Sequence, residues 1–379
     1  MDSVMENQTT AAFSKLIAQE KQRERRIARP DLPALKTGTI GILPGDGIGP
    51  RLITQAVRIL KALMAPELAS GQLKLEKIPG CTLEQRLAAG AAIPPEVLTQ
   101  IEQYPVLLKG PMATPKASDG QQNLESANAM LRRSLDLYTS MRPMALANGN
   151  EWTFFRENIE GAYLLGSQGL QVDDDLAIDF VVLTTKEAQR IARKAFQYAA
   201  DHGKTDVAVV TKANIVKLTD GNFLKACQDV AQDYPGITLT PYFVDAMAAN
   251  LHNPEFGQSL QVVVLPNLYG DIITDIAAQL QGGLGSAGSA NIGDHYAVFE
   301  AIHGTAPWLF AHHLEDYADP RSLLRAVVML LDHIGYRQQA VRLAAGLDHL
   351  GQAKDLPNAQ QHITTADYVT RLLSLLAEN

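Results

Sequence analysis

Two aspartates, Asp271 and Asp275, stand four residues apart in Asn267-Leu-Tyr-Gly-Asp-Ile-Ile-Thr-Asp275. On a helix, residues at that spacing project from one face. Adjacent carboxylates repel each other unless a cation or a shared proton intervenes. A hard divalent ion with oxygen ligands and open water positions is the economical occupant. An exposed acidic helix face is the plain alternative, and spacing alone favours it. Basic residues gather in a second region: Ser126-Ala-Asn128-Ala-Met-Leu-Arg132, then Met141-Arg142-Pro143, then Arg156-Glu157-Asn158. Arginine forks match carboxylates bidentately. Ser126 and Asn128 fall near a helix N-terminus, where free amides and the dipole favour an anion. For any one of these residues, a surface arginine or a simple helix cap explains it as well.

The elements that must position these side chains alternate between strand and helix. Thr39-Ile-Gly-Ile-Leu43 is a short buried-strand pattern; it leads into Pro44-Gly-Asp-Gly-Ile-Gly-Pro50 and then an amphipathic helix with Ile53, Val57, Leu60 and Leu63 on one side. Val106–Leu108, Phe180–Leu183, Val207–Val210 and Val262–Leu265 read as further strands, with helical stretches at Glu187–Ala200 and Asn222–Gln232 between them. Such alternation predicts an α/β fold with a substantial parallel sheet. The Asp271 segment follows the strand ending at Leu265, which places the carboxylate pair at a strand's carboxyl end, where α/β sheets collect ligands. Residues 1–36 read as an appended, partly helical arm with Phe13, Leu16 and Ile17 on one face, ended by Pro30 and Pro33; a packing or oligomer arm is the simplest reading.

Two tempting patterns fall away. Gly283-Leu-Gly-Ser-Ala-Gly288 fits the dinucleotide pattern by letter, but it follows a helix and no strand-turn-helix unit surrounds it. Glu300-x-x-His303 offers two metal ligands without a third. Asp173-Asp-Asp175 reads as a solvated turn. The 379 residues carry a net charge of -8, which argues against nucleic acid or an anionic membrane as the main partner. Cys81 and Cys227 are far apart and suit core thiols in a reducing compartment. No apolar run approaches a bilayer span and no secretory signal opens the chain, so a soluble cytoplasmic protein is predicted.

Taken in order, Leu43-Pro-Gly-Asp-Gly-Ile-Gly-Pro50, Lys109-Gly-Pro111, Arg156-Glu-Asn158 with Tyr163, Lys212-Ala-Asn214, Asn267 to Asp275, Ala290-Asn-Ile-Gly293 and His303-Gly-Thr-Ala-Pro307 resemble the β-decarboxylating dehydrogenases, the isocitrate and isopropylmalate dehydrogenase family. The likeness runs from about residue 38 to near the C-terminus. It implies that family's α/β fold, distinct from a Rossmann domain. A large cofactor-side domain with a parallel sheet would comprise 37–137 and 282–379, and a smaller dimerisation and catalytic domain 138–281. The stretch from Tyr163 to Phe180 is compact, which implies a reduced intersubunit clasp near 164–180.

The resemblance also implies roles. Arg132, Arg142 and Arg156 would hold substrate carboxylates, together with Ser126 and Asn128. Asp271 and Asp275, with Asp245, would bind Mg²⁺ or Mn²⁺. Lys212 and Tyr163 would be the acid–base pair, Lys212 assisting proton removal from a 2-hydroxyl and Tyr163 returning a proton to C3 after CO₂ is lost. Thr114, Asn214, His303, Gly304, Thr305, Ala306 and Asp319 would contact the nicotinamide cofactor. In this family the lysine and one aspartate come from the partner subunit, so Lys212 and Asp245 imply a homodimer or higher homo-oligomer. The implied reaction is metal-dependent oxidative decarboxylation of a 2-hydroxy acid, a tricarboxylic acid cycle chemistry if the acid is isocitrate.

Isopropylmalate-type members carry leucines at the start of the arginine helix, whereas Ser126 and Asn128, six and four residues before Arg132, resemble the isocitrate pattern. An apolar substituent would leave those polar groups unpaired, at roughly 1–3 kcal/mol each if buried. The long loop 115–125 leaves homoisocitrate, isopropylmalate or a tartrate-like acid open, and a non-catalytic regulatory subunit is the different-class rival. NADP-type members carry Lys-Tyr after the His-Gly-Thr-Ala-Pro motif and NAD-type members Asp-Ile. Here Trp308-Leu309 follows, with Asp319 where an asparagine is usual. Glu315 or Asp316 would suit a ribose, and His312, His313 or Arg321 a phosphate. The missing Lys-Tyr and the acidic chain favour NAD over NADP.

Overall fold

The computed structural model describes residues 2–25, 27, 35–115, 122, 124–146, 148–166, 168–283, 285–352 and 354–378. The chain forms two compact units, Met1–Leu32 with Phe154–Ile273, and Pro33–Thr153 with Thr274–Asn379.

In the second unit, six strands lie in the order Lys74–Lys77, Thr39–Leu43, Val106–Lys109, Ala297–Ala301, Gly288–Ile292 and Thr139–Ala145. The first four run parallel, and Gly288–Ile292 is antiparallel to both its neighbours. Side chains alternate across this sheet. Ala297 and Phe299 enter one core with Ile40, Ile42, Leu108 and the helices Gly49–Leu63, Arg321–His333, Arg337–His349 and Thr365–Glu378. Val298 enters the opposite core with Leu43, Leu107 and the helices Pro95–Ile101 and Ala127–Ser134. The sheet is therefore covered on both faces, the arrangement parallel sheets require. The helix Gly49–Leu63 buries Ile53, Leu60 and Leu63, as its spacing predicts; each such side chain, fully buried, contributes about 1.5–3 kcal/mol.

The loop that launches this helix depends on glycine. Gly45 and Gly47 hold φ of 74° and 57°, and a Cβ on Gly47 would stand 2.3 Å from the Thr305 carbonyl oxygen. The Pro44–Pro50 loop is thus packed hard against the His303–Pro307 segment. Asp46 ties it further: its carboxylate accepts from Leu83 N at 2.6 Å, Ala113 N at 2.9 Å and the fully buried Arg86 at 2.8 Å.

In the first unit the strand order is Glu151–Glu157, Val262–Leu265, Asp206–Thr211, Thr238–Phe243, the first of these beginning just outside the unit. The last three are parallel. Val262–Leu265 is buried throughout, which explains its unbroken apolar run. The helix Thr185–Asp201 packs on it and Thr219–Ala231 packs on the neighbouring strands Asp206–Thr211 and Thr238–Phe243, both close to their predicted bounds. The predicted strand Phe180–Leu183 is corrected: only Val182 pairs, through an isolated bridge to Gly161. Val181 is exposed and Phe180 packs against Phe13 of the N-terminal helix, so neighbouring residues have no ladder partner to extend the bridge. Leu170–Gln171 and Ala177–Ile178 form a small antiparallel hairpin, with Asp173-Asp-Asp175 as its exposed turn. The arm is a helix, Asp2–Glu24; the prolines read as ending it lie outside the described residues. Both cysteines are buried. Among the described residues no helix is long and apolar enough to cross a membrane.

Candidate active site

The helix Asn267–Gln281 follows the buried strand Val262–Leu265 after a single residue, so its first turn opens at the strand's carboxyl end. In the first unit Asp271 is met by two predicted site residues. The Arg156 guanidinium donates to one carboxylate oxygen, and Tyr163 OH donates to the other at 2.9 Å. Arg156 is 1% exposed and is fixed from behind: its Nε and Nη2 both donate to Asn267 Oδ1, at 3.1 and 2.8 Å. Asn267 Nδ2 in turn donates to the Glu160 carbonyl at 2.9 Å. Gly270 permits this packing, since a Cβ there would meet the Arg156 side chain at 2.5 Å. A cation for a carboxylate, a phenol and an acidic ligand are therefore gathered at one point.

Lys212 and Asp245 form a second pair in this unit, Nζ to Oδ1 at 2.6 Å. The hydrogen bond from Lys212 draws the Asp245 carboxyl below its ordinary range. Lys212 follows the strand Asp206–Thr211, and its backbone N–H donates to Asp220 at 2.6 Å, which fixes the turn. Asn214, two residues on, is exposed.

In the second unit Arg142 is 5% exposed; its Nη1 donates to Thr274 Oγ1 at 2.6 Å and lies 3.5 Å from Asp275. Ser126 is the N-cap of the helix Ala127–Ser134 and accepts from Ala129 N at 3.4 Å. Asn128 sits in the first turn with its Oδ1 buried and without a hydrogen-bond partner. Arg132 lies in the last turn of the same helix, 3.8 Å from Glu300. Most of the long loop before this helix, 116–121 and 123, lies outside the described residues.

Glu300 reads in the sequence as half of a weak metal pattern, and the structure gives it another role. Lys109, of the Lys-Gly-Pro motif, is buried with Nζ 2.5 Å from its carboxylate, and Asn291 donates to it at 2.6 Å. Burial alone would raise this carboxyl, but Lys109 and Arg132 outweigh it and hold it at about 2. Asn267, Lys109 and Glu300 are the contributors that residue-by-residue reading misses. All three lie inside the quoted motifs or three residues before one, and burial pairs them with charges that the sequence keeps far apart.

The segment His303–Ala306 follows the strand Ala297–Ala301. His303 Nδ1 faces the Gly304 carbonyl oxygen at 2.9 Å, while Nε2 is buried and has no partner. Burial lowers the imidazole's pKa, which favours the neutral ring. Gly304 is exposed, Thr305 and Ala306 are half-buried, and Ala306 holds φ 51°. Thr114 is exposed. Asp319 is engaged by Arg321 through bonds of 2.7 to 3.1 Å.

Among the described residues no three His, Cys, Asp or Glu side chains are grouped to hold a metal. The donor chemistry nonetheless fits a hard cation: Asp271 in the first unit and Asp275 in the second each present carboxylate oxygens on a side chain more than a third exposed. Nε2 of His303 and Oδ1 of Asn128, both buried and unpartnered, suit polar ligands, His303 where the resemblance implies a cofactor and Asn128 where it implies a substrate.

The profile of the isocitrate/isopropylmalate dehydrogenase family matches residues 39–372. The alpha chain of mitochondrial NAD isocitrate dehydrogenase from Rattus norvegicus is 34% identical over 318 residues, 81% of each chain. A regulatory subunit of the mitochondrial NAD isocitrate dehydrogenase from Dictyostelium discoideum is 35% identical over 314 residues, 80% of this chain and 82% of that one. Among solved structures, isocitrate dehydrogenase from Methylococcus capsulatus superposes with a TM-score of 0.78 at 31% identity, covering 90% of this chain and 99% of that one. With its mainly parallel α/β architecture and its ordered motifs, the chain belongs to the isocitrate/isopropylmalate dehydrogenase family.

Proposed function

We propose that the protein oxidises isocitrate at its 2-hydroxyl and releases CO₂ to give 2-oxoglutarate, using NAD and a divalent cation, in the cytoplasm, as a homodimer or a higher homo-oligomer. The observation that carries the reaction class is the convergence of Arg156 and Tyr163 on Asp271. Arg132, Arg142 and Arg156 bind the substrate's carboxylates. Lys212, completing the site of a second copy together with Asp245, receives the hydroxyl proton. Tyr163 donates the proton that C3 takes up after decarboxylation. Asp271, Asp275 and the second copy's Asp245 would hold Mg²⁺ or Mn²⁺, which when bound would supply Lewis acidity toward the hydroxyl and the charge that develops on CO₂ loss.

Isocitrate is favoured over an alkyl-bearing acid by Ser126 and Asn128, whose hydroxyl and amide suit a carboxylate or hydroxyl at the start of the arginine helix. NAD is favoured because Arg321, a candidate for a 2′-phosphate, is already neutralised by Asp319. Initial rates with isocitrate, homoisocitrate, 3-isopropylmalate and tartrate, each with Mn²⁺ and with NAD or NADP, test the reading. Isocitrate with NAD should lead; turnover of another acid well above isocitrate overturns the substrate. Lys212→Ala should lower kcat by at least about 100-fold with an unchanged circular dichroism spectrum, and near-normal kcat removes Lys212 from the chemistry.

The likeness to a regulatory subunit supports a second reading, a partner chain that modulates a catalytic relative. Complete inactivity of the pure chain on the whole panel would favour it.

A further inference from the structure

The N-terminal helix carries a charge into the first unit. Arg23 forms an ion pair with Glu160, whose side chain is only 2% exposed. Among the described residues it is the only cation in ion-pair contact with that carboxylate. Glu160 is a junction in the segment that leads from Arg156 to Tyr163. Its carboxylate accepts from Thr184 N at 2.6 Å and Thr184 Oγ1 at 2.9 Å. Its backbone N–H is held by Glu157, and its carbonyl accepts from Asn267, the residue that orients Arg156. Gly161 then bridges to Val182, and Tyr163 follows two residues later. The helix is seated by more than one contact. Leu16 is buried, Phe13 packs on Phe180 with ring centroids 5.5 Å apart, and Glu24 lies 3.7 Å from Lys186.

We propose that Arg23 is a positioning residue for the active site, the N-terminal helix acting as a clamp that fixes the Glu157–Tyr163 segment through Glu160. The inference rests on the proposed reaction only for its kinetic consequence. A buried carboxylate deprived of its cation is strongly unfavourable, and Glu160 lies beside a second buried carboxylate, Glu157. Without Arg23 the pair must gain a proton or move toward water. Either change loosens the Asn267 and Gly161 attachments that set Arg156 and Tyr163, and displacement of a catalytic group by about 1 Å can cost roughly 100-fold.

The test uses full-length Arg23→Gln, Arg23→Lys, Glu160→Gln and the double variant Arg23→Gln/Glu160→Gln. Arg23→Gln should lower kcat about tenfold and leave KM for NAD unchanged, Arg23→Lys should recover most of the loss, and in the Glu160→Gln background Arg23→Gln should cost nothing further. Amide exchange should quicken in residues 159–166 of Arg23→Gln while Val207–Thr211 stays protected. Unchanged kinetics with unchanged exchange, equal losses in both backgrounds, or faster exchange spread evenly over the unit would each overturn the clamp. If the unmodified chain turns over no acid, the proposed reaction fails and the exchange pattern alone decides this inference.

Discussion

Glu300 in the second unit and Glu157 in the first are both buried glutamates, and their carboxyls are pushed in opposite directions. Glu300 is held at about 2, because Lys109 and Arg132 overcome its burial. Glu157 is raised to about 7, because burial is reinforced by the neighbouring charge of Glu160 and opposed mainly by backbone N–H groups of Ile159 and Glu160. Burial alone does not fix the charge of a carboxylate; the cations placed against it do. One cluster maintains a fixed anion beside Arg132. The other concentrates two acids beneath the segment that carries Tyr163 and gives one of them, Glu160, Arg23 as ion-pair partner.

The largest test of this contrast is Lys109→Met, which leaves Glu300 buried with only the more distant Arg132. Unfolding by urea should show a loss of about 3–5 kcal/mol; a loss below about 1 kcal/mol would mean that Glu300 is solvated or protonated in the folded protein. Next is acid. A depressed carboxyl stabilises above its unfolded pKa, and that stability is lost as pH falls toward the folded value. The Glu300 contribution, about 3 kcal/mol by the size of its shift, should be complete above about pH 5 and fade between about pH 4.5 and 2. Comparing the wild-type protein with Glu300→Gln across that window isolates it, and a pH-independent difference breaks the assignment. The last effect has the opposite sign. Glu157, raised in the folded state, contributes stability that is lost as pH rises from its unfolded value through about 7. Glu157→Gln should therefore gain stability relative to the wild-type protein as pH rises from about 4 to about 8, by up to about 3 kcal/mol across that window. Absence of that gain would show that the ionised form is the one the fold holds.

Much of the frame is legible in the sequence because it rests on local signals. Unbroken apolar runs such as Val262–Leu265 become central strands, and the glycine loop at 44–50 becomes the entry to an amphipathic helix. Thr139–Ala145 escapes, since Arg142 and Pro143 interrupt any apolar pattern; the strand pairs with Gly288–Ile292, and that partner is 149 residues away in the Ser140–Ser289 contact. Phe180–Leu183 misleads for the converse reason: its apolar run has the pattern of a strand, yet Phe180 serves as a seat for Phe13. At the site, the motifs name Arg156, Tyr163 and Asp271, and the fold brings these three together. The roles of Asn267, Lys109 and Glu300 are invisible there, because a buried ion pair between residues 191 positions apart leaves no periodicity in either segment.

The interleaving of the two units also dictates an order of assembly. The chain enters the first unit with Met1–Leu32, leaves it for Pro33–Thr153, returns with Phe154–Ile273 and ends in the second. During synthesis the N-terminal helix emerges long before Glu160, 137 residues downstream of Arg23, exists to receive it. The six-stranded sheet must likewise wait for Gly288–Ile292 and Ala297–Ala301, and its core for Tyr368 and Leu372. Neither half can close cotranslationally from a contiguous stretch. Contacts of such separation slow folding and prolong the exposure of apolar surface. Apolar surface on both units therefore stays open until segments far apart in the sequence have been made.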